Sequence, residues 1–319
     1  MTAPTITRAG VTTVTLVEET VARPRRRRRR STSDGAVAYV FLLPWFIGML
    51  FTIIPFGASL YLSLTDYNLL QAPKFIGIEN FVRLFTDPKI ATATQVTLSY
   101  TFLAVPLGLA VALGVALLLN RGVRGLPIYR SIFYLPSLIG GSVAVVLLWR
   151  SIFGYDGIVN KFLGIFGIQG PGWVTDPEYA LTTLVTLSIW GFGGAMVIFL
   201  AGLRQIPRSY YEAAQVDGAN VFRQFRAITL PLLSPVIFFN LVLGLIGALQ
   251  VFTQGYIFSG GTGGPADSTL FYSLYLYQQG FLRFDMGYAS AMAWIMFFVI
   301  AAFTAVNFLV SKYWVFYDD

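Results

Sequence analysis

The feature that most constrains this chain is a set of long apolar segments that carry almost no charge. A membrane-spanning helix needs about 20 mostly apolar residues, because the hydrocarbon core of a bilayer is about 30 Å thick. Several segments of the 319-residue chain reach that length. They lie near residues 36–64 (with Pro44 and Pro55 as interruptions), 93–119, 131–153, 179–203, 231–254 and 286–310. The pattern predicts an all-α membrane protein with six transmembrane helices.

Composition agrees with a lipid environment. Hydrophobic residues make up 56% of the chain and charged residues only 12%, with a mean hydropathy of +0.68. Soluble domains carry about 25% charged residues. The chain contains no Cys and no His, which removes thiolate nucleophiles, imidazole bases and the commonest transition-metal ligands. We therefore expect no catalytic residues and no metal site.

An unbroken arginine run, Arg25–Arg30, stands just before the first apolar segment. Such a run could bind nucleic acid, but Lys and Arg next to a span usually mark the cytoplasmic side of the membrane. We therefore predict a disordered basic cytoplasmic tail over residues 1–35, a transmembrane domain over 36–311 and a cytoplasmic tail over 312–319. An even number of spans places both termini in the cytoplasm, and no nucleic-acid partner is expected.

Acidic residues are absent from the middles of the predicted spans. Ion-coupled transporters tend to place Asp, Glu or His near the centre of the membrane. In this chain the acidic residues outside the N-terminal tail fall in loops or at span ends, among them Asp66, Asp156, Asp176, Glu178, Asp267 and Asp285. The sequence therefore offers no proton relay, and the energy for any transport would come from elsewhere.

The connection between the fourth and fifth spans, residues 204–230, is too patterned to be a simple loop. Ser209 and Glu212 have the spacing of a capping box, which predicts a helix that begins at Ser209. Gly218 would end that helix, because glycine adopts the left-handed conformation of a helix C-terminus. A second short helix would follow, with Pro231 in the first turn of span five. The pattern predicts a helix-turn-helix that docks a partner protein at the cytoplasmic face.

This connection resembles the signature of binding-protein-dependent ABC importer permeases. The matching positions are Glu212-Ala213-Ala214, then Gly218, then Ile228-Thr229-Leu230-Pro231. The resemblance implies a coupling helix that sits in a cleft of a cytoplasmic ATPase and passes its nucleotide-driven closure to the spans. The residues it assigns to ATPase coupling are Glu212, Ala213, Ala214, Asp217, Gly218 and Arg223.

The same resemblance implies a multi-subunit assembly in the cytoplasmic membrane of a prokaryote. Its other members would be a second permease subunit that forms a heterodimer with this chain, two ATPase subunits and an extracytoplasmic solute-binding protein. No Gly-x-x-x-x-Gly-Lys-Ser/Thr motif occurs in the sequence. ATP and Mg are therefore expected in the partner ATPase, with no cofactor bound by this chain, which would be a transport subunit and not an enzyme.

Two further segments narrow the resemblance to carbohydrate-uptake permeases of the maltose and glycerol-3-phosphate type. They are Phe75-Ile-Gly-Ile-Glu-Asn-Phe81 and the glycine-rich stretch from Gly260 to Thr269. The implied cargo is a sugar or a sugar derivative, and a polyol phosphate stays open. Residues that could line its path are Trp190, Asn240 and Gln250, although glycines and lone amides in membrane helices often serve helix packing instead.

Two other classes of function also fit six spans. A stand-alone passive facilitator would need no ATPase, and the lack of charge within the spans does not argue against it. A membrane enzyme would need a cluster of catalytic residue types on one face, and the sequence shows none. The patterned connection before Pro231 favours the importer over both.

Overall fold

A computed structural model describes residues 32–122 and 124–316, with side chains from residue 39 onwards. The arginine run predicted to set the topology, and the end of the C-terminal tail beyond residue 316, lie outside the described residues. The chain divides into two units, one up to Ile54 and one from Pro55 onwards. All features discussed below, apart from the first part of the first helix, belong to the second unit.

Helices form nearly all of the described structure. They are numbered in chain order as α1 (Thr32–Ser63), α2 (Glu79–Thr86), α3 (Pro88–Asn120), α4 (Leu126–Ile139), α5 (Val143–Ile152), α6 (Ile158–Ile165), α7 (Pro177–Trp190), α8 (Gly193–Gln205), α9 (Arg208–Val216), α10 (Val221–Gln224), α11 (Leu230–Leu249), α12 (Thr253–Ser259), α13 (Tyr272–Tyr277) and α14 (Met286–Ser311). A two-stranded antiparallel hairpin, β1 (Thr65–Asp66) and β2 (Lys74–Phe75), lies between α1 and α2.

Four stretches of helix are long and apolar enough to cross a membrane. They are Tyr39–Ser63, Pro88–Asn120, Val221–Leu249 and Met286–Ser311, and they coincide with the predicted spans one, two, five and six. Two further pairs, α4 with α5 and α7 with α8, pass the same test together but are bent by 99° and 44°. Within the described ranges there are thus four spanning helices, or up to six if each bent pair is one span. The prediction of a mostly helical membrane protein is confirmed.

The prediction of a single continuous helix for the third span is wrong. Helix α4 ends at Ile139, and α5 starts in a new direction at Val143. The Ser142 side chain accepts a hydrogen bond from Val145 N at 3.4 Å, and so it caps a new helix. Two glycines precede Ser142, and glycine is a poor helix former. The fourth predicted span is also interrupted, at Gly191 between α7 and α8, but no side chain caps α8 and the bend is only 44°.

The sequence predicts that span five begins as a separate helix around Pro231, and this prediction is wrong. Helix continues from Val221 through a π-helical turn, Phe225–Thr229, into α11. In that turn the backbone N–H of Leu230 donates to the carbonyl of Phe225, five residues earlier. The wider turn accommodates Pro231, whose ring would clash with the carbonyl four residues back in a regular α-helix. Helix α11 ends at Leu249, five residues before the predicted end at residue 254. Helix α1 is not interrupted at Pro44 or Pro55.

Helix α3 lies at the centre of the second unit and packs against α7, α8 and α11. Two clusters of buried side chains line it. The first includes Tyr100, Leu184, Phe271, Tyr275 and Tyr288, and the second includes Met196, Phe199, Leu200, Leu203 and Leu233. Many large apolar side chains on the other helices are exposed. A soluble monomer rarely exposes so much apolar surface, so lipid or other subunits must cover it.

The Phe75–Phe81 segment has a structural role at the start of α2. The buried Asn80 side chain donates hydrogen bonds from Nδ2 to the carbonyls of Ser63 at 3.0 Å and Thr65 at 2.9 Å. Gly287 of α14 lies so close that an added Cβ would overlap the Thr65 carbonyl oxygen. The segment therefore joins the end of α1, the hairpin and the start of α14.

Candidate functional site

The predicted docking element is a helix, a turn and a second short helix between α8 and α11. The capping-box prediction is wrong in detail, because α9 begins at Arg208 and its N-cap is Pro207, with no side-chain cap. Pro207 has extended backbone angles, and its carbonyl accepts a hydrogen bond from Tyr210 N at 3.3 Å. Ser209 therefore lies one residue inside the helix, where its side chain cannot cap it.

Gly218 ends α9 as the sequence predicts. Its φ is +74°, in the left-handed region that glycine adopts without steric cost. Ala219 N donates to Ala214 O at 2.8 Å, and Gly218 N donates to Gln215 O at 3.0 Å. These two bonds form a Schellman motif, which satisfies the last carbonyls of a helix. Asn220 then caps α10 by accepting from Arg223 N at 2.8 Å, so the turn is fixed by local hydrogen bonds on both sides.

The turn projects apolar side chains away from the helices behind it. Val216 is 89% exposed, Val221 71% and Phe222 72%. On the opposite side, the Tyr211 hydroxyl lies 2.9 Å from the hydroxyl of buried Thr229, which holds α9 against the base of α11. The result is a protruding apolar tip on an anchored base, the arrangement expected of a docking surface.

The residues that the sequence assigned to ATPase coupling all lie on this element, which we call the docking turn (residues 206–224). Glu212, Ala213, Asp217, Gly218 and Arg223 are exposed, and Ala214 is half-buried. The two ion pairs found among the described residues join Arg83 to Asp285 and Lys89 to Asp267. Neither pair uses a charge of the docking turn. Its carboxylates and its two guanidinium groups are thus available to a partner.

A cavity of about 440 Å³ lies at the opposite end of α11 from the docking turn. It is bounded by α3, by α7 and α8, and by the end of α11 with the residues that follow. Gln250, one of the predicted path residues, lines it together with Tyr100, Ser188, Phe252, Thr253 and Gln254. A few hydroxyl and amide groups among aromatic and small apolar residues are typical of a small-molecule site.

The other two predicted path residues do not line this cavity. The Trp190 ring packs against the Trp149 ring, with centroids 5.6 Å apart. Asn240 is buried, and its Nδ2 donates to the Val236 carbonyl of its own helix at 2.9 Å. The structure thus brings Gln250 to the cavity and places Trp190 and Asn240 in helix packing. Sequence reasoning missed Tyr100 and Ser188, since a single Tyr and a single Ser in separate spans carry no signal that they meet.

Two glycines of α11 differ in what surrounds them. A Cβ at Gly244 would come within 3.0 Å of the Val105 side chain, so this glycine allows α11 to approach α3 closely. A Cβ at Gly247 would meet nothing within 4 Å, and Gly247 lines the cavity. Both glycines line the cavity, but only Gly244 is also needed for the close packing of α11 on α3.

The chain also resembles known proteins in sequence. Residues 104–314 match the family described as "Binding-protein-dependent transport system inner membrane component". The chain is 52% identical over 297 residues to a probable ABC transporter permease protein, YesP, of Bacillus subtilis (strain 168), covering 92% of this chain and 96% of that protein. It is 37% identical over 268 residues to the lactose transport system permease protein LacF of Rhizobium radiobacter, covering 82% and 89%.

Among solved structures, the chain resembles a subunit of a bacterial ABC transporter involved in the import of the acidic polysaccharide alginate. The TM-score is 0.76 and the sequence identity 25%, with 88% of this chain and 96% of that chain covered. The apolar helices and these matches define a membrane component of a transport system and not an enzyme. The chain belongs to the binding-protein-dependent transport system inner membrane component family.

Proposed function

We propose that this chain is the permease subunit of an ATP-driven importer that moves a sugar or a sugar derivative into the cell. The observation that carries the proposal is the docking turn, because it lies within the segment that matches the family and presents an exposed apolar tip with available charges. ATP hydrolysis, with its Mg, takes place in a separate ATPase. This chain supplies one part of the pathway and a surface on which the ATPase acts.

The docking turn would couple the two processes mechanically. Val216, Val221 and Phe222 enter an apolar cleft of the ATPase, and Glu212, Asp217 and Arg223 pair with groups around its rim. Tyr211 and the continuous helix from Val221 to Leu249 then carry motion of the tip toward the cavity. This helix links the docking turn to the cavity as one element.

The proposed arrangement in the membrane has six spans, with α4–α5 and α7–α8 each acting as one bent span. The docking turn then lies on the cytoplasmic side, and both termini lie on that side as well. Support comes from the arginine run before α1, since positive charge next to a span favours the cytoplasm. The cavity at the far end of α11 would open toward the outside, where a solute-binding protein delivers its cargo. A second permease subunit would complete the walls of the cavity.

A sugar is favoured as cargo by the family relatives and by the lining of the cavity. LacF is named for lactose transport, and the solved structure is described as importing alginate. Gln250, Ser188 and Thr253 supply the amide and hydroxyl groups that hydrogen-bond sugar hydroxyls, and Tyr100 and Phe252 supply apolar surface. Polyol phosphates form the alternative cargo.

The test is a charge placed on the docking tip. Phe222→Asp should abolish co-purification of the ATPase and ATP-dependent uptake, because a carboxylate would be buried in an apolar cleft. The affinity of the binding protein for its sugar should not change. Phe166→Asp is the matched control, since Phe166 is 66% exposed and lies outside the docking turn. If the ATPase still co-purifies with Phe222→Asp, or if the chain alone moves sugar into liposomes without ATP, the proposal is wrong.

A further inference from the structure

A second pocket, of about 620 Å³, adjoins the cavity at the end of α11. Gln250 and Phe252 line both spaces, so the two pockets are neighbours. The second pocket is bounded by α13, by the π-helical turn Gln278–Leu282 and by the middle of α14. Both volumes fall in the range of ordinary ligand pockets, about 300–1,000 Å³.

Three aromatic rings form one side of this second pocket. The centroid of Phe252 lies 5.2 Å from that of Tyr277, and the Tyr277 centroid lies 5.2 Å from that of Phe281. The Tyr277 and Phe281 rings are inclined by only 24°, so they stack. Phe281 is 55% exposed. We call these three rings the aromatic row.

Two polar groups at the pocket lack a strong partner. The Ser273 hydroxyl reaches only the Met296 sulfur, at 3.8 Å, and a thioether is a weak acceptor. The exposed Gln250 amide makes no side-chain hydrogen bond to the described part of the chain. By contrast, Gln278 beside the aromatic row is fixed, because its Nε2 donates to Gly261 O at 2.8 Å. The Gln250 amide and the Ser273 hydroxyl are therefore the polar groups at this pocket that are free to bind a ligand.

We propose that this pocket is a second sugar subsite, so that the pathway holds at least two linked sugar rings in line. The inference rests on the proposed function, in which the cargo is a saccharide. The face of an aromatic ring carries partial negative charge and attracts the polarised C–H groups on the face of a sugar ring. Gln250 and Ser273 bind the hydroxyls at the edge of that ring. The subsite selects oligosaccharides over single sugars.

A lipid chain is the other occupant that such a pocket could take. An acyl chain would cover the aromatic row, but it would leave the Gln250 amide and the Ser273 hydroxyl without partners, which is unfavourable. The shared lining residues Gln250 and Phe252 also place the pocket next to the cavity proposed for the cargo. These two arguments favour the sugar.

The experiment uses the assembled transporter in liposomes, with its partner permease, ATPase and binding protein. Radiolabelled glucose, lactose, maltose, trehalose and glycerol 3-phosphate are supplied first, to find what the unaltered transporter carries. If none of the sugars is imported, the proposed function fails before the subsite is examined. If a sugar is imported, the variants Phe281→Leu and Ser273→Ala are compared by the amount of sugar imported per ATP hydrolysed.

We expect this ratio to fall about tenfold for a disaccharide in each variant. Phe298→Leu is the matched control, because Phe298 is also 55% exposed but does not line the pocket. An unchanged ratio in the two variants would overturn the proposal. Simple misassembly would give that result, because it lowers uptake and ATP hydrolysis together. An unchanged ratio together with lipid that co-purifies with the unaltered chain and is lost from Phe281→Leu would overturn it in favour of a lipid site.

Discussion

The hydroxyl of Tyr288 donates a hydrogen bond of 2.8 Å to Asp87 Oδ2, although the two residues are 201 positions apart. The Tyr275 hydroxyl donates to the same oxygen at 2.7 Å, and Asp87 Oδ1 accepts from Lys89 N at 2.9 Å. One carboxylate thus joins the start of α3, helix α13 and the start of α14. The Arg83 guanidinium lies over the Tyr288 ring at 4.0 Å and pairs with Asp285, which strengthens the same junction.

Removing one donor from this junction should lower stability. Tyr288→Phe keeps the buried ring and deletes the hydroxyl, and hydrogen bonds to charged groups contribute about 1.5–3 kcal/mol. We expect a loss near the lower figure, because Tyr275 still donates to Asp87. The measurement is the midpoint of thermal denaturation of the purified complex. Tyr313→Phe is the control, since that ring is 79% exposed, and an equal shift in both variants would contradict the prediction.

The Asp87 carboxylate should also make stability depend on pH. Burial opposes its ionisation, but hydrogen bonds from Tyr275, Tyr288 and the Lys89 backbone, together with the charge of Arg83, outweigh burial and hold the pKa of Asp87 below its ordinary value of 3.8. A lowered pKa in the folded state stabilises the protein above the unfolded value, and the stabilisation is lost as the pH falls through the folded value. The midpoint temperature of thermal denaturation should therefore fall as the pH is lowered below about 4. Asp87→Asn should be less stable at pH 7 and should show a flatter dependence on pH.

Gly218→Ala should impair coupling to the ATPase by straining the docking turn. Its φ of +74° is unfavourable for alanine by about 1–2 kcal/mol, although a Cβ there would meet nothing within 4 Å. Gly167→Ala is a close control, because Gly167 has a φ of +73° and equally open surroundings. Both variants should lose similar stability, whereas only Gly218→Ala should weaken co-purification of the ATPase. Equal retention of the ATPase would show that the turn does not dock it.

Gly247→Leu should obstruct the cavity without disturbing the helix packing. The new side chain would extend into the open space that Gly247 borders. Uptake should fall at least about tenfold, while helix content and assembly with the ATPase stay normal, because leucine is a good helix former. The control is Gly114→Leu in α3, which also has no atom within 4 Å but does not line the cavity. Normal uptake by Gly247→Leu would place the path of the cargo elsewhere.

Sequence reasoning succeeded where the signal is local. The apolar lengths of spans one, two, five and six matched continuous helices, and Gly218 alone indicated the left-handed end of α9. It failed where a neighbour altered the local preference: Pro207 displaced the predicted cap at Ser209, and a π-helical turn absorbed Pro231 within a continuous helix. Propensity describes a residue in isolation, and these positions depended on the backbone beside them.

Sequence reasoning also could not tell which of the predicted path residues line the cavity, because that depends on contacts between distant helices. Gln250, Asn240 and Trp190 look equivalent in sequence, as single polar or aromatic residues within apolar runs. In the fold, Asn240 bonds to its own helix and Trp190 packs on Trp149, so only Gln250 reaches the cavity.

The sequence by itself determined that the chain enters a membrane and exposes a patterned turn between two of its apolar segments, because both depend on consecutive residues. The tertiary structure decided which helices bend, that Asp87 joins three distant segments, and that the Phe252–Tyr277–Phe281 row adjoins the cavity. The physical reason is that apolar side chains are almost equally well solvated by lipid and by other helices. Apolar pattern therefore places a helix in the membrane, while only contacts between helices fix the direction in which each face points.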